Sequence, residues 1–287
     1  MKLAGAQRLR ISKRFSSAVS SDTPLRSLAS NFSKVARNAL DEASSLVVEE
    51  VRIELKRLPS NLDGFRIVHL SDTHHSPFTG IEHIQNAVRI ANDLSPDVVL
   101  LTGDYVSHEK EYVAPVAIEL GKLEAEYGIH ACLGNHDHWT DADLVTSRFR
   151  EAGIRMLVNE GFRFVARDQA FWLCGVDDYM VKRTDLRAAL EGSYPDEMKM
   201  LLAHNPLIIR QAAKMDVDVM FSGHTHGGQI KLKDKDKMRQ TIRRKLSSGL
   251  NRRKKTQIYI TRGIGTVVLP VRYQCPPEVS LIELRCA

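Results

Sequence analysis

"FRIVHLSDTHH", residues 65–75, joins a six-residue stretch of strand character to a polar burst that begins where the strand should end. Phe65, Ile67, Val68 and Leu70 suit a pleated, largely buried strand, and Asp72 and His74 follow within four residues of Leu70. The same junction recurs along the chain. "PDVVLLTG" (96–103) runs into Asp104, and "GIHACLG" (128–134) runs into Asn135, His136 and Asp137. "MKMLLAH" (198–204) ends on His204, and "VDVMFSG" (217–223) opens onto His224 and His226.

Helical patterns lie between these strands, at 81–94, 114–126, near 185–191 and at 206–214. Strand and helix alternation predicts parallel pairing and a layered α/β architecture. "FRFVA" (162–166) and "AFWLCGV" (170–176), separated by a polar break, read as a hairpin. "QIYITRG" (257–263) and "EVSLIELRC" (278–286) supply two more strands, and there is no internal repeat. In an open parallel sheet, ligands sit beyond the carboxyl ends of the strands, so the five bursts should converge on one site.

The bursts share a chemistry. Asp72, His74, Asp104, Asn135, His204, His224 and His226 offer two carboxylates, one amide and four imidazoles, with no thiol. Mixed nitrogen and oxygen donors suit manganese, iron or zinc, whereas calcium or magnesium favour nearly all oxygen. Seven donors exceed the need of one tetrahedral ion, and two ions sharing a bridging carboxylate use them economically. A lone histidine is more often structural than a ligand; five bursts in consistent order turn that expectation round. His75 and His138, which adjoin the motifs, are read as structural.

Composition bounds the rest. The 287 residues, 43% hydrophobic, can supply a full core. Cys132, Cys174, Cys275 and Cys286 are scattered with no CxxC spacing, which disfavours a disulfide framework or thiolate zinc site and fits a reducing compartment. No stretch approaches the roughly 18 apolar residues of a membrane span, and the first 20 residues lack the apolar core of a secretory signal. The net charge of +6 is uneven: residues 1–40 carry +7, residues 231–255 carry +10, and the remainder is acidic at −11. Confined basicity of this kind fits surfaces that meet a polyanion.

Residues 24–46 place Leu25, Leu28, Phe32, Val35, Ala36 and Leu40 on one helical face, and Met238, Ile242, Leu246 and Leu250 recur every four residues among basic neighbours. Both segments are expected to be basic amphipathic helices docked on an anionic bilayer, the alternative for the first being a helix packed on the domain. Residues 1–21, basic, Ser-containing and free of acids, also fit an organelle transit peptide. The expected organisation is a basic amphipathic segment at 1–49 and a domain at 50–287 carrying a basic insertion at 231–255.

The ordered set DxH (72–74), GD (103–104), GNHD (134–137), His204 and GHTH (223–226) resembles the calcineurin-like metallophosphoesterase superfamily over about residues 50–287. The resemblance implies two packed mixed β-sheets flanked by helices, with two divalent ions, manganese foremost. It implies Asp72, His74 and His226 as ligands of one metal, Asn135, His204 and His224 as ligands of the second, and Asp104 as the bridge. His136 is implied as the catalytic acid, with Asp137 orienting it. Two cations roughly 3.5–4 Å apart would lower the pKa of a shared water and polarise phosphoryl oxygens.

"HGGQI" (226–230) and "TRGIGTVVLPVRYQCPPEVSLIEL" (261–284) resemble the bacterial branch that holds membrane-associated phosphodiesterases and UDP-2,3-diacylglucosamine pyrophosphatase. Within them Arg262 and Arg272 are candidates to meet substrate phosphate. The expected function is hydrolysis of a pyrophosphate or phosphodiester at a membrane surface, most specifically UDP-2,3-diacylglucosamine to its lipid monophosphate and UMP. The expected location is cytoplasmic, peripheral on the inner membrane. One alternative is a nucleotide or nucleic-acid phosphodiesterase, although base recognition favours aromatic platforms and aromatics are only 6% of the chain. The other is a non-catalytic metal-dependent scaffold, against which the full donor set argues.

Overall fold

The computed structural model describes residues 37–230 and 246–287. Strands β1 (Val47–Leu55), β2 (Phe65–Leu70), β3 (Val98–Thr102), β4 (Ile129–Cys132), β5 (Arg155–Met156) and β12 (Glu278–Cys286) form one mixed sheet in the order β1-β12-β2-β3-β4-β5. β2 to β5 are parallel, β12 runs against β2, and β1 lies parallel to β12 at the edge. Strands β6 (Glu160–Ala166), β7 (Gln169–Gly175), β8 (Lys199–Leu202), β9 (Val219–Ser222), β10 (Gly249–Arg253) and β11 (Thr256–Ile260) form the second, in the order β10-β11-β9-β8-β7-β6. Here β7, β8, β9 and β11 are parallel, flanked by antiparallel β6 and β10.

The alternation of side chains along a strand explains the layering. In β2, Phe65 and Ile67 join Val98, Leu100, Phe164, Phe171, Leu202 and Phe221 between the sheets. Val68 and Leu70 point the other way, against helices α1 (Ile81–Asp93) and α2 (Val113–Leu120). A strand buried on both faces must be apolar on both, which is why "FRIVHL" does not alternate cleanly. Next come the short helix α3 (Asn135–Thr140) and α4 (Ala142–Glu151), whose Val145 and Phe149 complete the outer layer of the first sheet. Helices α5 (Leu186–Ala189) and α6 (Ile209–Ala212) cover the second sheet through Leu186, Ile209 and Ala212. Each such large side chain contributes about 1.5–3 kcal/mol when fully buried, so the clusters fix four layers, helix, sheet, sheet and helix.

Three expectations are corrected. The boundary at 49/50 falls inside β1, which begins at Val47, and the chain already contacts the body at buried Ala39, whose carbonyl accepts from Arg272 N–H. Residues 37–44 are helical as expected, whereas 24–36 lie outside the described residues. Leu250 belongs to no amphipathic helix: it sits in β10, paired with Tyr259 of β11, because its segment has a strand edge to join. Met238 and Ile242 lie outside the described residues. The helix read at 114–126 ends at Leu120.

All four cysteines are free thiols, with Cys132, Cys174 and Cys275 buried. Among the described residues no helix is long and apolar enough to cross a membrane.

Candidate metal centre

The carboxyl ends of β2, β3, β4, β8 and β9 meet as the parallel pairing requires. The backbone after β2 is laced to the backbone after β3: Asp72, His74 and His75 N–H donate to the carbonyls of Gly103, Asp104 and Tyr105. Asp72, His74, Asp104, His224 and His226 all have left-handed backbone, with φ of 53°, 44°, 56°, 71° and 48°. For residues with a Cβ this is strain of about 1–3 kcal/mol each, retained where packing over-determines it and commonly found at functional sites. Two glycines are required by space. A Cβ on Gly134 would strike the Asp104 carboxylate, and one on Gly223 would strike that of Asp72.

The donors converge. Asp72, His74 and His226 have ligand atoms within 4.8 Å of one another, as do His74, Asp104 and His136, and again Asp104, His204 and His224. His74 and His226 bring their Nε2 atoms to 3.1 Å, and His226 Nε2 lies 3.3 Å from Asp72 Oδ1. Across the centre, Asp104 Oδ2 is 3.0 Å from His204 Nε2 and 3.6 Å from His74 Nε2, so one carboxylate faces both halves. His204 Nδ1–H donates to the Thr102 carbonyl at 2.7 Å, which turns Nε2 inward. Asn135 Oδ1 is buried and has no hydrogen-bond partner among the described residues. An orphaned amide oxygen beside a ring of imidazoles and carboxylates fits divalent cations, and the residues present therefore suit the two ions expected.

Burial raises the pKa of Asp72 and Asp104, yet the surrounding imidazoles, His226 foremost for Asp72 and His204 for Asp104, hold both carboxyls well below the usual range. Burial depresses His74 to about 3 and, together with the nearby His204, His224 to about 4. His204 goes the other way: burial lowers it, but Asp104 and then Asp72 lift it to about 10.

His136 and Asp137 act through different partners from those expected. His136 Nδ1–H donates to the Ser107 carbonyl at 2.7 Å, and its backbone N–H donates to Asp104 Oδ1 at 2.8 Å. Asp137 does not orient His136. Its carboxylate accepts from the N–H groups of Gly134, Asp104 and Tyr105, and so ties the β3 and β4 loops together. Burial and the neighbouring Asp104 charge push its carboxyl up to about 7. Asp137 is a positioning residue.

Arg262 and Arg272 are also corrected. Arg262 pairs with Glu49 and Glu278, and Arg272 is fully buried with its guanidinium on the carbonyls of Arg262, Gly263, Gly265 and Cys275. Both brace the 261–277 loop, and Arg272 Nη2 also lies 3.4 Å from His226 Nδ1, so its partner at the centre is an imidazole. His75 and His138 have protein partners, as the structural reading expected: His75 Nδ1–H donates to the Thr79 carbonyl, and His138 pairs with Asp177.

Other site residues escaped the sequence reading. "GVDD" (175–178) closes β7 with Asp177 and Asp178, a sixth strand-end burst that obeys the same rule. Asp178 Oδ1 accepts from Met180 and Val181 N–H, while its Oδ2 is buried without a partner among the described residues. The loop that it anchors walls a cavity of about 670 Å³ lined by Tyr179, Met180, Lys182, Leu207, Leu246 and His224 among others. Outside that lining, His108 and half-exposed Trp139 stand against His136.

Comparison with known proteins agrees with this geometry. The family model described as calcineurin-like phosphoesterase matches residues 65–228, which hold every donor of the centre. The "Transmembrane protein with metallophosphoesterase domain" of Bos taurus is 35% identical over 207 residues, covering 67% of this chain and 47% of its own. The protein of that name in Danio rerio is 31% identical over 258 residues, covering 84% and 57%. The chain thus spans about half the length of these vertebrate relatives. "Phosphodiesterase YaeI" of Escherichia coli is 30% identical over 241 residues, covering 82% of this chain and 88% of its own.

Proposed function

This chain belongs to the calcineurin-like phosphoesterase family, and from that premise we propose that it uses two divalent ions, manganese foremost, to hydrolyse a phosphodiester or pyrophosphate bond of an amphipathic substrate at a membrane surface. The observation that carries the two-ion reading is Asp104, whose carboxylate faces donors on both sides, together with the unpartnered Asn135 Oδ1. Asp72, His74 and His226 would hold one ion and Asn135, His204 and His224 the other, with Asp104 shared. Bound there, the ions would supply Lewis acidity and a water nucleophile near neutral pH. His136 has Nδ1 occupied by Ser107, which leaves Nε2 to hold and pass a proton at the phosphoryl or leaving oxygen, work usually worth about 10² to 10⁴ in rate.

A cavity at the edge of the centre supports the amphipathic substrate. The cavity beside His224 carries apolar walls, Met180, Leu207 and Leu246, with Lys182, Thr184 and Gln211 among them, which suits an ester with apolar and anionic parts. Its size falls within the roughly 300–1,000 Å³ of small-molecule sites. The basic segments 1–40 and 231–255, most of which lie outside the described residues, are proposed to dock the enzyme on anionic lipid at the cytoplasmic face.

The test incubates purified, manganese-loaded protein with UDP-2,3-diacylglucosamine in mixed micelles, with bis-p-nitrophenyl phosphate and a cyclic nucleotide alongside. Preferential release of UMP is the expected result. Turnover of the soluble diesters alone would discard the lipid substrate, and inertness across all classes would favour a scaffold. Equal binding to neutral and anionic vesicles would discard the membrane surface.

A further inference from the structure

A row of rings leads from the buried centre to solvent. His136 packs edge-on against fully buried His74, with centroids 4.7 Å apart and planes at 89°. Trp139 comes next, 4.7 Å from His136 at 63°. His108 lies 5.0 Å from His136 and nearly parallel to Trp139, at 6.2 Å and 17°. Trp139 and His108 are exposed, Trp139 by 51%.

The exposure is informative because the chain's other tryptophan behaves differently. Trp172 is buried, and its indole N–H donates to the Ala189 carbonyl. Trp139 spends about half of a large apolar surface on water, and no described protein group accepts from its indole N–H. It does so one turn after Asn135 and His136, on the short helix α3 whose first residues face the centre. An indole and an imidazole lying near-parallel beside the proton-carrying histidine offer flat faces with polar edges. That shape suits a planar heterocycle better than an acyl chain, and the apolar cavity for such a chain opens at His224 instead.

We propose that Trp139 and His108 form a stacking platform for a nucleobase, whose sugar-linked phosphoryl group sits at the metal centre. The platform rests on the phosphoesterase reading above and narrows its substrate class to nucleotide esters. The two flanks then divide the substrate: the base stacks beside His136, and the second ester group enters the cavity beside His224. Trp139 separates nucleotide from non-nucleotide esters and not one base from another, since stacking of a base on an aromatic ring is sequence-tolerant and modest in strength.

The test uses the metal-loaded full chain and its Trp139→Ala and Trp139→Phe variants with two methyl esters, one of UMP and one of ribose 5-phosphate, followed by chromatography. Wild type should prefer the UMP ester. In Trp139→Ala that preference in kcat/KM should fall roughly tenfold, through KM, and Trp139→Phe should restore most of it. Titration of wild type with UMP should quench the fluorescence of exposed Trp139, and ribose 5-phosphate should not. An unchanged preference, or no quenching by UMP, overturns the platform. Hydrolysis of bis-p-nitrophenyl phosphate by wild type is the separate control: its failure would strike the phosphoesterase reading, while the fluorescence titration would still decide the platform.

Discussion

At the metal centre Asp72, His74, Asp104, Asn135 and His204 are buried, while at the rim Tyr179, Met180, Lys182, His108 and Trp139 are exposed. The centre is held by backbone: strained turns, laced loops and a carboxylate, Asp137, that gathers three N–H groups. The rim is held by side-chain stacking and by one loop anchored on Asp178. The contrast separates two jobs. Donors that must keep a fixed geometry are buried and tied by backbone bonds, and the proposed recognition of an ester falls to exposed side chains that can be exchanged without disturbing them.

That separation can be broken most sharply at His226. His226→Ala is expected to cut turnover of every ester more than about 100-fold, beyond the 10- to 100-fold that follows loss of an outer partner, with an unchanged circular dichroism spectrum. Similar loss on one ester and none on another would mean that the centre also selects substrate. Asp137→Ala comes next. It strips an acceptor from three buried N–H groups, so chemical denaturation should show a loss of about 2–4 kcal/mol, and turnover should fall about 10- to 100-fold on all esters alike.

The rim should respond differently. Met180→Ser is expected to raise KM for an amphipathic ester roughly three- to tenfold, with kcat and the KM of the methyl ester of UMP changing less than about twofold. Equal shifts in both KM values would remove the cavity from recognition.

The last effect concerns stability alone. Burial holds His69 at about 3 and His130 at about 4, below their ordinary value, so the unfolded chain binds more protons than the folded one between those values and about 6.5. The contribution of these two groups is therefore full above pH 6.5 and falls as the pH drops below it, by up to about 1.4 kcal/mol per unit for each, whereas the raised carboxyl of Asp137 acts in the opposite sense up to about pH 7, so the histidine effect is read as the difference between wild type and a His130→Gln variant. Denaturation midpoints between pH 5 and pH 8 would check the sign.

The centre was legible in the sequence because a parallel strand ends where its backbone must turn, and the residues there are written as short polar bursts. Asp72, His74, Asp104, Asn135, His204, His224 and His226 all obeyed that rule, and so did Asp177 and Asp178, whose burst carries no histidine to draw attention. The layered α/β character is legible in the alternation of strands and helices and the pair of sheets is what the resemblance implied, but β1, β5 and β10 escape: "VVEEVRIEL" is an edge strand whose partner β12 lies more than 220 residues away, β5 has two residues, and β10 falls in a segment expected to be helical. Arg262 and Arg272 looked like phosphate contacts because sequence shows charge and not partners. Trp139 lies two residues past the GNHD motif, yet a single exposed tryptophan acquires meaning only when His108 and His136 are seen against it.

The most direct test of the account counts ions. Manganese titrated into metal-free protein by calorimetry, with the bound metal quantified by atomic emission, should give two ions per chain, one fewer in His226→Ala, and hydrolysis of bis-p-nitrophenyl phosphate that rises as the second ion binds. One ion or none in wild type, or full hydrolysis in His226→Ala, would contradict it.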